Sequence, residues 1–315
     1  MTKPLVSILI PAYNAEAWIS DTLRSAIAQT WERKEIIVVD DASEDQTREV
    51  CQGISDIRYI RTPQRLGIAG TRNLGVIASS SEFITFLDDD DVRLPGSIDE
   101  QAESLEGHPD TGMIYGKALY GDQECSPKGD SYPDQCPQGD IFWELMSWNF
   151  IPCLTVIFRR SCLLRVGLLD ESAPGIDDWD LWIRLAEFYP VLATEQAVAV
   201  WRQPTPGSEQ FSFRADRMHR QARRLHKNKW LRLPRVARAG TARRRQAARA
   251  FADCASQQLV WQAAAMLKAK RLPDFVRVTL AGARMYPVRV SRKIISASTK
   301  LVLINTWPRR KLRAL

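Results

Sequence analysis

A chain of 315 residues, 45% hydrophobic and 26% charged, has apolar material for a sizeable core and fits one large domain or one domain plus an appendage. Its net charge of +7 conceals an asymmetry: residues 1–210 carry 17 Lys and Arg against 34 Asp and Glu, while residues 211–315 carry 27 against 3. Six cysteines with no Cys-x-x-Cys pair exclude a zinc-ligand spacing and fit a reducing compartment, and no signal-peptide pattern or apolar stretch of about 18 residues predicts an exported or membrane-spanning chain.

In chain order, residues 5–10 form an apolar run that ends at Pro11 and predicts a buried strand. Asn14 is placed to cap a helix whose Ile19, Leu23, Ala26, Ile27 and Thr30 recur at three and four on one face. Residues 35–39 predict a second strand, ending in Asp40 and Asp41, and residues 57–60 a third. Residues 67–78 read as a loop and then a helix, and residues 83–87 as a fourth strand. The stretch 121–139, rich in Pro, Gly, Asp and Ser, reads as a surface loop; residues 153–159 read as a late strand, and Asp178 starts a helix with an apolar face. Residues 201–212 read as loop.

Strands alternating with helices predict an α/β fold with a doubly wound, mostly parallel central sheet. Ligands of such sheets bind beyond the carboxyl ends of the strands. Residues 11–14, Asp40 with Asp41, and the run Asp88, Asp89, Asp90 and Asp91 all follow predicted strands, so one crevice should collect them. Four adjacent carboxylates after a buried strand repel one another, and a hard divalent cation removes the conflict. Mg²⁺ or Mn²⁺ takes one or two carboxylates and completes its shell with phosphates and water. An acidic surface turn that caps the next helix is the alternative for the run taken alone.

Five segments together resemble the family 2 glycosyltransferases, which have the GT-A fold. They are the strand Val6 to Asn14, the segment Val38 to Thr47, the Gly67 to Asn73 segment of Gly-x-x-x-x-Arg-Asn type, the Phe86 to Asp91 carboxylate motif with Leu94-Pro95 after it, and Asp177 to Leu185. The resemblance covers about residues 4–210 and implies roles. Pro11, Ala12 and Tyr13 would cradle a nucleotide base with Glu16 nearby, and Asp41 would bond the base or ribose. Arg72 would organise the donor phosphates and carboxylates. Asp88 and Asp90 would hold Mn²⁺ or Mg²⁺, with Asp89 in reach of the donor, and Asp178 would be the general base of an inverting transfer. Asp177 stands where the family usually has Glu. The chain lacks the Gln-x-x-Arg-Trp motif of processive synthases, which implies an enzyme adding single sugars from a nucleotide-diphosphate sugar to a glycan or lipid-linked acceptor. A non-catalytic nucleotide-sugar-binding protein and a sugar nucleotidyltransferase are the competing classes.

The expected organisation is a GT-A domain over residues 1–212 and a basic α-helical tail over residues 213–315. Within the tail, residues 246–270 are good helix formers, and Val290, Ile294, Ala297, Leu301 and Ile304 make an apolar stripe on a basic helix. Such a tail suits an anionic membrane surface first, a solvated helical face second and nucleic acid last. The expected setting is cytoplasmic, peripheral on the inner face of the cell membrane.

Overall fold

The structure is a computed structural model and describes residues 2–203 and 215–300. The chain forms two compact units, Met1–Phe142 with Asn149–Ser208 and Trp143–Trp148 with Glu209–Leu315. In chain order the first unit contains β1 (Val6–Ala12), α1 (Ile19–Ile27), β2 (Lys34–Asp40), α2 (Thr47–Gln52), β3 (Arg58–Arg61), α3 (Gly67–Ala78), β4 (Phe83–Phe86) and β5 (Val92–Arg93). It continues with α4 (Ser97–Glu106), β6 (Met113–Gly121), β7 (Pro127–Tyr132), β8 (Ile157–Arg159), α6 (Leu163–Val166), α7 (Asp177–Ala186) and β9 (Val191–Arg202). Between β7 and β8 in the chain comes a short α5 (Phe142–Leu145), of which all but Phe142 is assigned to the second unit.

Among the described residues the strands make one sheet in the order β3-β2-β1-β4-β8-β6-β9-β5, with β7 paired to β6. The block β3-β2-β1-β4 is wholly parallel. β8 runs antiparallel to β4 and β6, and β6 and β9 are parallel to each other, so six strands share one direction. β1, flanked by β2 and β4, has all seven of its residues buried. Buried on both faces, such a strand reads as a continuous apolar run rather than an alternating one.

Several sequence expectations need correction. Residues 121–139 are not all loop: β7 pairs with β6 across a turn in which the Asp122 carboxylate accepts the N–H groups of Glu124 and Ser126. Its residues are polar and largely exposed, so no apolar period marks it. The strand expected at 153–159 begins with a 3₁₀ turn (Cys153–Thr155) and is extended only from Ile157. Residues 67–78 are helical throughout, as α3, with no loop at their start. Asn14 does not cap α1, which starts five residues later; its φ is 49° and its side-chain oxygen accepts the Glu44 N–H. Residues 201 and 202 belong to β9, and residues 204–212 lie outside the described residues.

The second unit holds α8 (Ala215–Asn228), α9 (Pro234–Arg238), α10 (Gly240–Lys268), α11 (Leu272–Met285) and α12 (Pro287–Lys300). α10 starts six residues before the expected 246, because the Ala- and Arg-rich stretch ahead of it also favours helix. Its core is built from Trp230, Phe251, Leu259 and Val278, with the His226 ring stacked on Phe251 at 4.1 Å. All three acids of residues 211–315 are spent on ion pairs: Asp216 with Arg220, Asp274 with Arg271 and Asp253 with Arg289. The stripe side chains from Ile294 onward lie outside the described residues. Among the described residues no helix is long and apolar enough to cross a membrane.

Candidate active site

Parallel pairing brings the carboxyl ends of β1, β2 and β4 to one edge of the first unit. Ala12 pairs with Asp40, the Asp41 N–H donates to the Ala12 carbonyl (2.8 Å), and the Leu87 N–H donates to the Leu9 carbonyl (3.0 Å). The loops that follow therefore emerge side by side, as expected of ligand-binding α/β sheets.

The carboxylate run is held tightly. The Tyr13 N–H donates to Asp89 Oδ2 at 2.9 Å, which ties the loop after β1 to the loop after β4. Thr22 Oγ1 donates to the carbonyls of Asp89 and Asp91. Arg202, at the end of β9 and 1% exposed, donates its backbone N–H to Asp91 Oδ1 (2.8 Å) and its Nε to the Asp90 carbonyl (2.6 Å). Burial, then the charge of Asp90, pushes the Asp89 carboxyl well above the usual range against the Tyr13 N–H. Burial, then Asp90 and Asp88, does the same to Asp91. The run is an electrostatic conflict held in place by backbone donors.

Arg72 joins this run to α7. It is 5% exposed; one terminal nitrogen lies 2.6 Å from Asp88 Oδ1 and the other 2.8 Å from Asp177 Oδ2. The neighbouring Asn73 exchanges hydrogen bonds with the backbone of Leu169 and donates to Glu171, in the loop leading to α7. The Arg-Asn pair on α3 thus fixes both ends of that loop. Beside Asp177, the Asp178 carboxyl is pushed up to about 7, first by burial, then by the Asp177 charge, with Arg72 opposing. Its Oδ1 accepts the Trp179 N–H at 2.6 Å.

The remaining predicted residues fall as follows. Pro11 and Ala12 are buried strand residues; Tyr13 is the partly accessible member of that trio. The Arg65 guanidinium lies 3.4 Å from the centre of the Tyr13 ring. Glu16 is exposed and accepts the Gln46 N–H. Asp41 is buried and accepts the N–H groups of Leu66 (2.6 Å) and Gly67 (2.9 Å), so it anchors the start of α3 and reaches a ligand only by sharing those oxygens. Asp177, noted in the sequence only as standing where the family usually has Glu, is the second partner of Arg72. Arg65 and Arg202 were not singled out from the sequence; a lone Arg closing the apolar run of β9 was the available signal for Arg202. Cys125 and Cys136 are free thiols.

The described residues contain no group of three His, Cys, Asp or Glu side chains placed to enclose a metal ion. The donor set nevertheless fits a hard cation of the kind that takes one or two carboxylates and borrows the rest from phosphates: it is all oxygen, and burial, then the charge of Asp90, pushes the flanking Asp89 and Asp91 carboxyls well above the usual range.

The model of the glycosyl transferase family 2 matches residues 7–162. The chain belongs to this family. An uncharacterized glycosyltransferase of Rickettsia felis is 30% identical over 200 residues, 60% of this chain and 32% of that protein. One from Haemophilus influenzae is 33% identical over 169 residues, 52% of this chain and 65% of its own length. The chain thus spans 32% to 65% of the length of these relatives. The crystal structure of residues 1–349 of S. aureus TarS with UDP-GlcNAc superposes with a TM-score of 0.62 at 17% identity, covering 91% of this chain and 82% of that one. The mannosyltransferase PcManGT of Pyrobaculum calidifontis, in complex with GDP-Man and Mn²⁺, gives 0.55 at 19% identity, covering 90% and 87%. These neighbours share the GT-A fold. The family match ends at Cys162, so Asp177 and Asp178 enter the site on geometry, through Arg72.

Proposed function

We propose that this family member transfers a single sugar from a nucleotide-diphosphate sugar to an acceptor hydroxyl, with inversion at the anomeric carbon. The observation that carries the reading is the Arg72 bridge, which sets the carboxylate run after β4 against the acidic start of α7.

In this reading Tyr13 and its neighbours meet the nucleotide base, and the carboxylates of Asp88 and Asp90 hold Mn²⁺ or Mg²⁺ with Asp89 beside them. The cation supplies charge neutralisation for the diphosphate leaving group. Arg72 fixes Asp88 and Asp177, so the first carboxylates of the two stretches keep their spacing. Asp178 takes the proton of the acceptor hydroxyl as that oxygen attacks the sugar face opposite the leaving diphosphate. An ordinary carboxylate is a weak base at neutral pH; one pushed up to about 7 is matched to the task. The excess of cations in the second unit supports a lipid-linked or membrane-borne acceptor.

Incubation with a panel of UDP-, GDP- and dTDP-sugars, with and without Mn²⁺, tests the proposal. A transferase of this kind releases nucleoside diphosphate slowly from one donor, and EDTA stops the release. A panel that yields no release from any donor points to a binding module, and turnover that requires a nucleoside triphosphate points to a nucleotidyltransferase.

A further inference from the structure

The second unit contains a cavity of about 420 Å³ among α8, α10 and the turn from α11 into α12. That volume lies in the range of small-ligand sites. Arg223, His226 and Lys227 stand at i, i+3 and i+4 on α8 and so share one face of it. Ala248, Phe251 and Ala252 repeat the spacing on α10 and give the cavity an apolar wall. Tyr286, Val288 and Arg289 close it from the α11–α12 turn. The charged groups are asymmetric: Arg223 and Lys227 are exposed and have no carboxylate partner among the described residues, and Arg289 pairs with Asp253 at 2.7 Å. Arg223 also lies 5.4 Å from the Tyr286 ring centre.

Two polar atoms in this wall are orphaned. His226 is 5% exposed and Tyr286 8% exposed, and neither His226 Nε2 nor Tyr286 Oη has a hydrogen-bond partner among the described residues. Buried polar atoms are nearly always satisfied, and an exception calls for an absent partner. A cationic mouth, an apolar wall and two unsatisfied polar groups describe a site for a molecule that is anionic at one end and apolar at the other.

We propose that this cavity binds a phosphate monoester carrying an apolar chain, the chemistry of an anionic lipid head with its first carbons. The phosphate sits between Arg223 and Lys227 within reach of Tyr286 and His226, and the chain lies along Phe251 and Val288. The site is built wholly from residues of the second unit and stands whether or not the sugar-transfer reading holds.

Isothermal titration of the full chain with hexyl phosphate, inorganic phosphate and hexanol tests it. Hexyl phosphate is expected to bind saturably and at least tenfold more tightly than either of the others. The Arg223→Ala/Lys227→Ala variant, which changes only exposed side chains, is expected to keep its melting temperature and lose at least tenfold in affinity. Arg224→Ala removes a charge from the adjacent position of α8 and is expected to bind as the wild type does. Absence of saturable binding, equal affinity for inorganic phosphate, or an unchanged affinity in the double variant overturns the proposal. A loss in Arg224→Ala as large as that in the double variant does so too, because it reduces the effect to net charge.

Discussion

Asp178→Asn separates chemistry from folding in one variant. Unfolded, this carboxyl titrates at its ordinary value of 3.8; folded, it titrates near 7 because it is buried beside Asp177. Between those pH values the folded state binds a proton that the unfolded state has released, so stability falls as pH rises from about 4 to about 7 and is level above that. Roughly three pH units at about 1.4 kcal/mol each set the ceiling of this loss at about 4 kcal/mol. Asn cannot ionise, so the variant should lack this part of the slope and be the more stable protein at pH 8, with near-equal stability at pH 4. Urea unfolding at both pH values, in EDTA, measures the difference between the two proteins. Transfer should fall by about 10²–10⁴ in kcat, the range for loss of a general base, while donor binding holds. The wild-type kcat should climb with pH through about 7. Equal pH slopes of stability in the two proteins refute the burial argument, and an active Asp178→Asn enzyme removes Asp178 from the base role.

Arg72→Ala leaves Asp177, 2% exposed, without its counter-charge, and should cost about 3–5 kcal/mol in urea unfolding; a loss under about 1 kcal/mol contradicts the bridge. Asp41→Ala takes the acceptor from two N–H groups at the start of α3 and should cost about 1–2 kcal/mol, read as a lower melting temperature. Gly116→Ala would set a Cβ 2.9 Å from methyls of Thr194 and Val198, where the β6–β9 register shifts. It should cost about 1–3 kcal/mol as overpacking, and a neutral effect in the same melt contradicts the close packing there.

The strands that carry the site were legible because burial on both faces turns them into apolar runs: Val6 to Ile10, Ile36 to Val39 and Phe83 to Phe86. The carboxylates that follow them were legible for the same reason, since position after a buried strand fixes the edge on which they emerge. β6 and β9 were harder to read: their pairing shifts register around Gly116, and no fixed period survives such a shift. β7 is polar and depends on a turn built by Asp122. The tertiary partners were also hidden. Arg72 and Asp177 are 105 residues apart, Arg202 and Asp91 are 111 apart, and neither spacing is a local pattern. The cavity of the second unit was hidden too, because it needs three helices to close.

In the proposed reaction the carboxylates after β4 grip a donor diphosphate through a divalent cation. Titration of UDP and GDP into the protein with Mn²⁺, with EDTA, and into Asp88→Ala/Asp90→Ala measures that grip directly. Saturable binding of one nucleotide is expected, lost both in EDTA and in the double variant while the variant stays folded. Undiminished affinity in either case would contradict it.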